Sequence, residues 1–205
     1  MGVLLFSLAV MNRFYLAGKL ITRTVVLTWL LVLTACHEKL AADHYVAWIQ
    51  DYDHGLHVKR EYADFVFDLQ FQPRDFFKLT GTQPAPHSDQ GTVMQYYLLR
   101  VSCKDPSQDP AKYNVSSASE WQQRLYYYSY LFQKDLFLEE NGLKYPCVLF
   151  HFEQSDISNT RVFTLGFETP APGAGVSNIL VESEQFGSLP VRIEIVKENI
   201  PALKI

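Results

Sequence analysis

Two stretches of this 205-residue chain gather side chains able to do acid-base or metal chemistry. In Cys147-Val148-Leu149-Phe150-His151-Phe152-Glu153, strand alternation puts Cys147, His151 and Glu153 on one side and Val148, Phe150 and Phe152 on the other. That is a thiol, a base and a carboxylate on one surface. Nucleophilic catalysis needs the first two within hydrogen-bond reach, whereas four residues along a strand separate Cys147 from His151 by roughly 13 Å. A strand with a polar outer face and a phenylalanine inner face has the same pattern. The second stretch holds Asp51, Asp53, His54 and His57, oxygen and nitrogen donors crowded around a turn where a divalent ion might otherwise be sought. Their spacing matches neither a zinc nor a calcium loop, and a solvated polar turn has this composition too. The serine-hydrolase elbow Gly-x-Ser-x-Gly does not occur. No spacing joins nucleophile, base and orienting group, so the sequence assigns no catalytic residue, no metal ligand and no cofactor.

A third feature concerns location. Arg13, Lys19 and Arg23 precede an apolar run from Thr24 to Leu33, the order of a secretory signal. The run is only about ten residues, half of what a membrane-spanning helix needs. It ends in Leu33-Thr34-Ala35-Cys36, which resembles the lipobox of bacterial lipoproteins at all four positions. The resemblance implies cleavage between Ala35 and Cys36 and acylation of Cys36, palmitate-like chains that hold the mature protein to a membrane. Several chains are needed for this, because one gains only about 0.8 kcal/mol per buried methylene and binds marginally. The alternative is an ordinary cleaved signal followed by a cysteine. Residues 1–10 form a second apolar run ahead of the basic residues, and Met11-Asn12-Arg13 opens a leader of more usual shape.

With Cys36 assigned to lipid, Cys103 and Cys147 are left as a candidate disulfide in an oxidising envelope compartment, or as two buried free thiols in apolar strands. The net charge of −4 supplies no basic footprint, so nucleic acid is excluded as a partner. Fourteen Phe, twelve Tyr and three Trp suit strands, and suit a surface that grips a partner.

The elements that must position these groups are mostly strands. Leu56 to Gln72 reads as two strands joined near Ala63-Asp64, with Phe65, Phe67, Leu69 and Phe71 on one face and Asp68, Gln70 and Gln72 on the other. Val93 to Cys103 is apolar on both parities in its middle, as a covered central strand requires. Ser117 and Glu120 have capping-box spacing, and Trp121, Leu125, Tyr128 and Phe132 then recur on one helical face. Asn141-Gly142 marks a hairpin between Leu136–Glu139 and Leu143–Glu153, and strands follow at Arg161–Phe167, Ile179–Glu182 and Val191–Lys197. Tyr45, Trp48 and Ile49 fit one helical turn or a short extended piece. The expected fold is α+β: a mainly antiparallel sheet of about eight strands, curved or sandwich-like, with one substantial helix packed on one face. The expected organisation is a signal over 1–35, a lipidated Cys36 with a tether over 36–43, and a single domain over 44–205.

Asp53-His54-Gly55-Leu56, Phe71-Gln72-Pro73, the 146–153 segment and Phe163-Thr164-Leu165-Gly166-Phe167 resemble a group of uncharacterised bacterial envelope lipoproteins. That resemblance implies a lipid-anchored single domain and brings no activity with it. Where that group has Asn-Gly this chain has His54-Gly55, so His54 is not read as a ligand. The expectation is a cell-envelope protein, bound to the inner or outer membrane through Cys36, acting as a non-enzymatic binding or assembly component with an envelope protein partner. The alternative is a small envelope hydrolase or metal-dependent enzyme. The first expects an exposed aromatic patch and no pocket; the second expects several of Asp51, His54, His57, His151 and Glu153 to converge in one cleft.

Overall fold

The computed structural model describes residues 39–81, 91–153, 158–170 and 175–204. The leader with Ala35 and Cys36 lies outside the described residues, as do 82–90, 154–157, 171–174 and 205. In chain order the elements are β1 (Lys39–Leu40), α1 (Ala42–Gln50), β2 (His57–Tyr62), β3 (Phe65–Gln72), α2 (Arg74–Thr80), β4 (Val93–Cys103) and α3 (Ala118–Tyr126). Then come β5 (Leu136–Glu140), β6 (Leu143–Glu153), β7 (Thr160–Thr169), β8 (Val176–Val181), β9 (Val191–Val196) and β10 (Ala202–Leu203). Lys39 and Leu40, expected in the tether, pair in parallel with β10 and tie the two ends of the domain together.

Eight strands form one antiparallel sheet in the order β2-β3-β4-β7-β6-β5-β8-β9, curled into a nearly closed barrel. Its edges approach each other where the Val196 N–H donates to the Gly55 carbonyl at 3.0 Å and Gly187 lies against the Tyr62 ring. The phenylalanine alternation dictates which face turns inward. Phe65, Phe67 and Leu69 join Tyr97, Leu99, Val101, Phe163, Leu165, Phe167, Ile179 and Ile193 in a dry interior. Truncating Phe67, which is fully buried, to alanine removes about 3–5 kcal/mol. Gln70 departs from its expected solvated setting: it faces outward but is buried. Asn141-Gly142 makes the hairpin turn, both residues at positive φ, as a two-residue turn matched to strand twist requires.

Ser117 caps α3 by accepting from the Glu120 N–H, while the Glu120 carboxylate accepts from the Ser116 N–H at 2.8 Å. The helix continues as a π-helical turn over Tyr127–Leu131 and a 3-10 turn over Phe132–Asp135. It lays Tyr128 and Phe132 on the concave face of the sheet, against Phe150, Phe152 and Phe163, with Trp121 and Leu125 half-buried behind them. Tyr45 and Ile49 of α1 turn into the core, so the segment around Trp48 is helical. Among the described residues no helix is long and apolar enough to cross a membrane.

Because neighbouring strands alternate in direction, the barrel has two dissimilar mouths. One collects the ends of β3, β5, β7 and β9 and the starts of β4 and β8. The other collects the 104–117 loop, the start of β7 and the 182–190 loop.

Candidate functional site

The strand 143–153 contains a β-bulge. Cys147 pairs with Phe167 but Leu149 pairs with Gly166, so Val148 is an extra residue and parity reverses across it. A Cβ on Gly166 would sit 2.8 Å from the Leu149 Cβ, so the strand can settle there only over glycine. The bulge overturns the expected grouping of Cys147 with His151 and Glu153. Cys147 points into the barrel, where burial pushes its thiol up to about 12, while His151 and Glu153 lie exposed on the outside. Simple alternation fails here because one inserted residue moves everything after it to the opposite face.

The candidate disulfide is likewise not formed. Cys103 and Cys147 are free and buried. Phe167 pairs with both Cys147 and Gln95, and Cys103 stands eight residues further along β4 than Gln95. That is about 27 Å at the rise of a strand, against the roughly 7 Å that a disulfide tolerates between Cα atoms.

The Asp51–His57 turn is divided among separate partners. Asp51 accepts from the Asp53 N–H at 3.0 Å, closing the turn on itself. His54 stacks on Trp48 with ring centroids 3.4 Å apart; its Nδ1 is buried without a hydrogen bond, 3.8 Å from Asp51 Oδ2. His57 turns away from these groups. Its Nδ1 meets the Gln50 carbonyl and its Nε2 meets Asp68 Oδ1, each at 2.7 Å. The second Asp68 oxygen accepts from the Tyr52 hydroxyl at 2.6 Å, and Arg100 approaches Oδ1 at 3.3 Å. Burial alone would raise the Asp68 carboxyl, but the hydrogen bonds from His57 and Tyr52 and the charges of His57 and Arg100 hold it at about 2. An anion and base saturated in this way have no free lone pair or proton to offer a substrate. His151 shares a cross-strand row with His57 through Gln70, Leu98 and Thr164, four strands away and about 19 Å around the sheet. The five titratable groups therefore do not converge. Among the described residues no three His, Cys, Asp or Glu side chains are placed to hold a metal ion.

Two charge pairs that the sequence reading missed occupy the mouths. At one, Lys197 Nζ donates to Glu140 Oε1 at 2.5 Å and also to Gln95, whose amide nitrogen reaches Glu140 at 3.1 Å and Thr169 at 2.9 Å. The two charged side chains are 2% and 4% exposed. At the other mouth Arg161 grips both oxygens of Asp109, its Nε at 2.7 Å, and Asp109 also accepts from the Ala111 N–H at 2.8 Å. Arg161 had a legible signal, since its parity matches that of Phe163 and Leu165 and so sends a guanidinium inward. The partners, 52 and 57 residues distant in sequence, had none.

Three concavities among the described residues gather at the second mouth, around the 104–117 loop. One groove of about 440 Å³ runs past Gln108, Lys112, Tyr113 and Asn159. Another of about 440 Å³ lies between Lys112 and Trp121. A third of about 310 Å³ lies between Asn114, Gln123, Tyr127 and Gln185. Beside them on the helix stand Tyr126 and Tyr130, 57% and 67% exposed, with ring centroids 5.1 Å apart. Their i, i+4 spacing puts them on one face of the helix, which includes the π-helical turn. Within it Tyr127 is tied by its hydroxyl to Asp135 and Ser183 and Tyr128 is wholly buried, which leaves Tyr126 and Tyr130 facing solvent together. The chain matches no protein-family model, no curated protein and no solved structure.

Proposed function

We propose that this protein is a non-enzymatic binding or assembly component of a bacterial cell envelope, held to a membrane by lipid on Cys36. The observation that carries the binding role is the exposed Tyr126–Tyr130 pair, two large rings presented on a turn whose other tyrosines are locked into the core. Aromatic side chains held this way give contact area at small entropic cost, which is why they dominate binding hot spots. The saturation of His57 and Asp68 by each other and by Tyr52 supports the same reading, since a catalytic pair needs a free partner for substrate. The anchor is supported by Leu33-Thr34-Ala35-Cys36 at the end of a basic-then-apolar leader.

The test is genetic and biochemical together. Tyr126→Ala/Tyr130→Ala is expected to reproduce the phenotype of gene loss, while His54→Ala, His57→Ala and His151→Ala retain function. Cys36→Ala is expected to shift the protein from the detergent phase to the aqueous phase on phase separation. A functional tyrosine double variant combined with an inactive histidine variant would reverse the reading in favour of an enzyme. Retention of the Cys36→Ala protein in the membrane would transfer the anchor to Thr24–Leu33.

A further inference from the structure

We infer that the linked grooves around the 104–117 loop bind an oligosaccharide, a neutral glycan several sugar units long. The inference rests on the binding role proposed above and supplies its ligand class. The three grooves share walls: Lys112 belongs to the first and second, Val115 to the second and third, and Asn114 to the first and third. One extended ligand can therefore pass from the Asn159 side of the loop to Gln185 without leaving a concave surface.

The walls specify what kind of ligand that is. Asp109 is neutralised by Arg161 and Glu120 offsets Arg124, so among these wall residues only the Lys112 charge is unmatched, too little to select a polyanion. The side-chain amides of Gln123 and Gln185 bond no other described residue, and both residues line the third groove. Planar amides that both donate and accept match vicinal hydroxyls, which do the same. The indole of Trp121 is half-buried in the second groove beneath the Lys112 ammonium, 5.5 Å from its ring, and its Nε1–H is buried without an acceptor. Tyr126 and Tyr130, about one and two helical turns from Gln123, add two exposed rings outside the groove walls. Flat apolar faces beside bidentate polar groups are complementary to a pyranose, whose ring has a C–H face and a hydroxyl rim. A peptide would call instead for a free sheet edge or an apolar anchor pocket, and the described grooves are walled mainly by polar groups.

The site is built in advance of its ligand. The buried Arg161–Asp109 pair, through the Asp109 bond to the Ala111 N–H, pins the loop that all three grooves surround. The Arg124 guanidinium donates to the Pro110 carbonyl at 3.3 Å and ties the same loop to α3. Preformed walls spare the ordering cost that weakens recognition by mobile loops.

The experiment titrates the full chain, purified in detergent, with the tetrasaccharides of N-acetylglucosamine and of glucose, followed by calorimetry and by tryptophan fluorescence. Saturable binding of at least one tetrasaccharide is expected, about tenfold tighter than the corresponding disaccharide because more of the grooves are filled. Tyr126→Ala/Tyr130→Ala is expected to weaken it about tenfold or more with an unchanged circular-dichroism spectrum, and Gln123→Ala to weaken it less. His151→Ala, on the outside of β6, is expected to bind as the parent does. Saturable binding of neither tetrasaccharide, or equal affinity in the tyrosine double variant, overturns the glycan assignment. If the sugars fail to bind while that variant still loses the gene's function, the binding role stands and only the ligand class falls. If the variant is also fully functional, both fall.

Discussion

Each mouth of the barrel is closed by a buried ion pair, and the two pairs are built differently. Lys197 is a point charge enclosed by Glu140, Gln95 and, on its apolar side, the rings of Phe71 and Tyr97 at 5.6 and 6.0 Å. Arg161 is a planar fork that grips one carboxylate, and that carboxylate in turn holds a backbone N–H of the groove-lined loop. The first arrangement seals an end; the second aims a loop. Burial pulls the Lys197 ammonium below the usual lysine range in spite of its bond to Glu140, so charge at this site works against folding. With a depressed folded value, the penalty lifts as pH rises through it towards the unfolded lysine near ~10.4. What the comparison teaches is that a buried pair need not be kept for stability, and that its value lies in what its partners hold.

The largest expected effect breaks the sealed pair. Glu140→Ala strands the Lys197 ammonium in an apolar enclosure and is expected to lower stability by about 3–5 kcal/mol in urea unfolding. Glu140→Leu/Lys197→Met removes both charges and is expected to lie within about 1 kcal/mol of the parent, or above it. A double variant as weak as the single one would mean that the pair itself stabilises the barrel.

Asp109→Asn sharpens the other side of the comparison. It replaces a charge-assisted fork by neutral bonds, for an expected loss of about 1.5–3 kcal/mol. The loss should be local. Hydrogen exchange is expected to accelerate across 105–117 while β4 and β7 keep their protection, and uniform acceleration throughout the barrel would place Asp109 with Glu140 as a global seal.

A third cluster, on the outer face, differs from both mouths in being partly open to water, and so it titrates. Asp68 is held at about 2, against an unfolded carboxyl near ~3.9. A depressed carboxyl contributes stability that is complete above the unfolded value and is lost as pH falls through the folded one, so the window runs from about 4 down to about 2. The shift corresponds to about 2.5 kcal/mol. Urea midpoints are expected to fall through this window in the parent and to change less in Asp68→Asn; parallel slopes would assign the acid sensitivity to other carboxylates.

Much of the scaffold was legible because it depends on local pattern. The Phe65–Phe71 alternation, the Asn141-Gly142 turn and the Ser117 cap are each decided within a few residues, and the structure bears each out. Partners remote in sequence were not legible. Nothing near Glu140 announces Lys197, and nothing near Asp109 announces Arg161, because the barrel's closure brings them together. Tyr126 and Tyr130 could have been read locally: a regular helix that buries Trp121, Leu125, Tyr128 and Phe132 turns these two, at i and i+4, to the opposite face.

The smallest expected effects test the bulge at Val148, which separates the inner face of β6 from its outer one. If parity reverses there, His151→Ala and Glu153→Ala are surface changes and each should move stability by no more than about 0.5 kcal/mol. Cys147 should behave in the opposite way. Its thiol is buried and pushed up to about 12, and burial also pushes Cys103 up to about 11, so neither carries appreciable thiolate near neutral pH. In a Cys36→Ala background both thiols are expected to resist alkylation in the native protein and to react together once urea unfolds it. Deleting Val148 restores simple alternation and should turn either Cys147 or the segment from Leu149 to Glu153 to the wrong face, so Cys147 labelling in the native state or outright loss of folding is expected. Native labelling of Cys147 in the parent protein, with Cys103 still protected, would put the thiol back on the surface that His151 and Glu153 share.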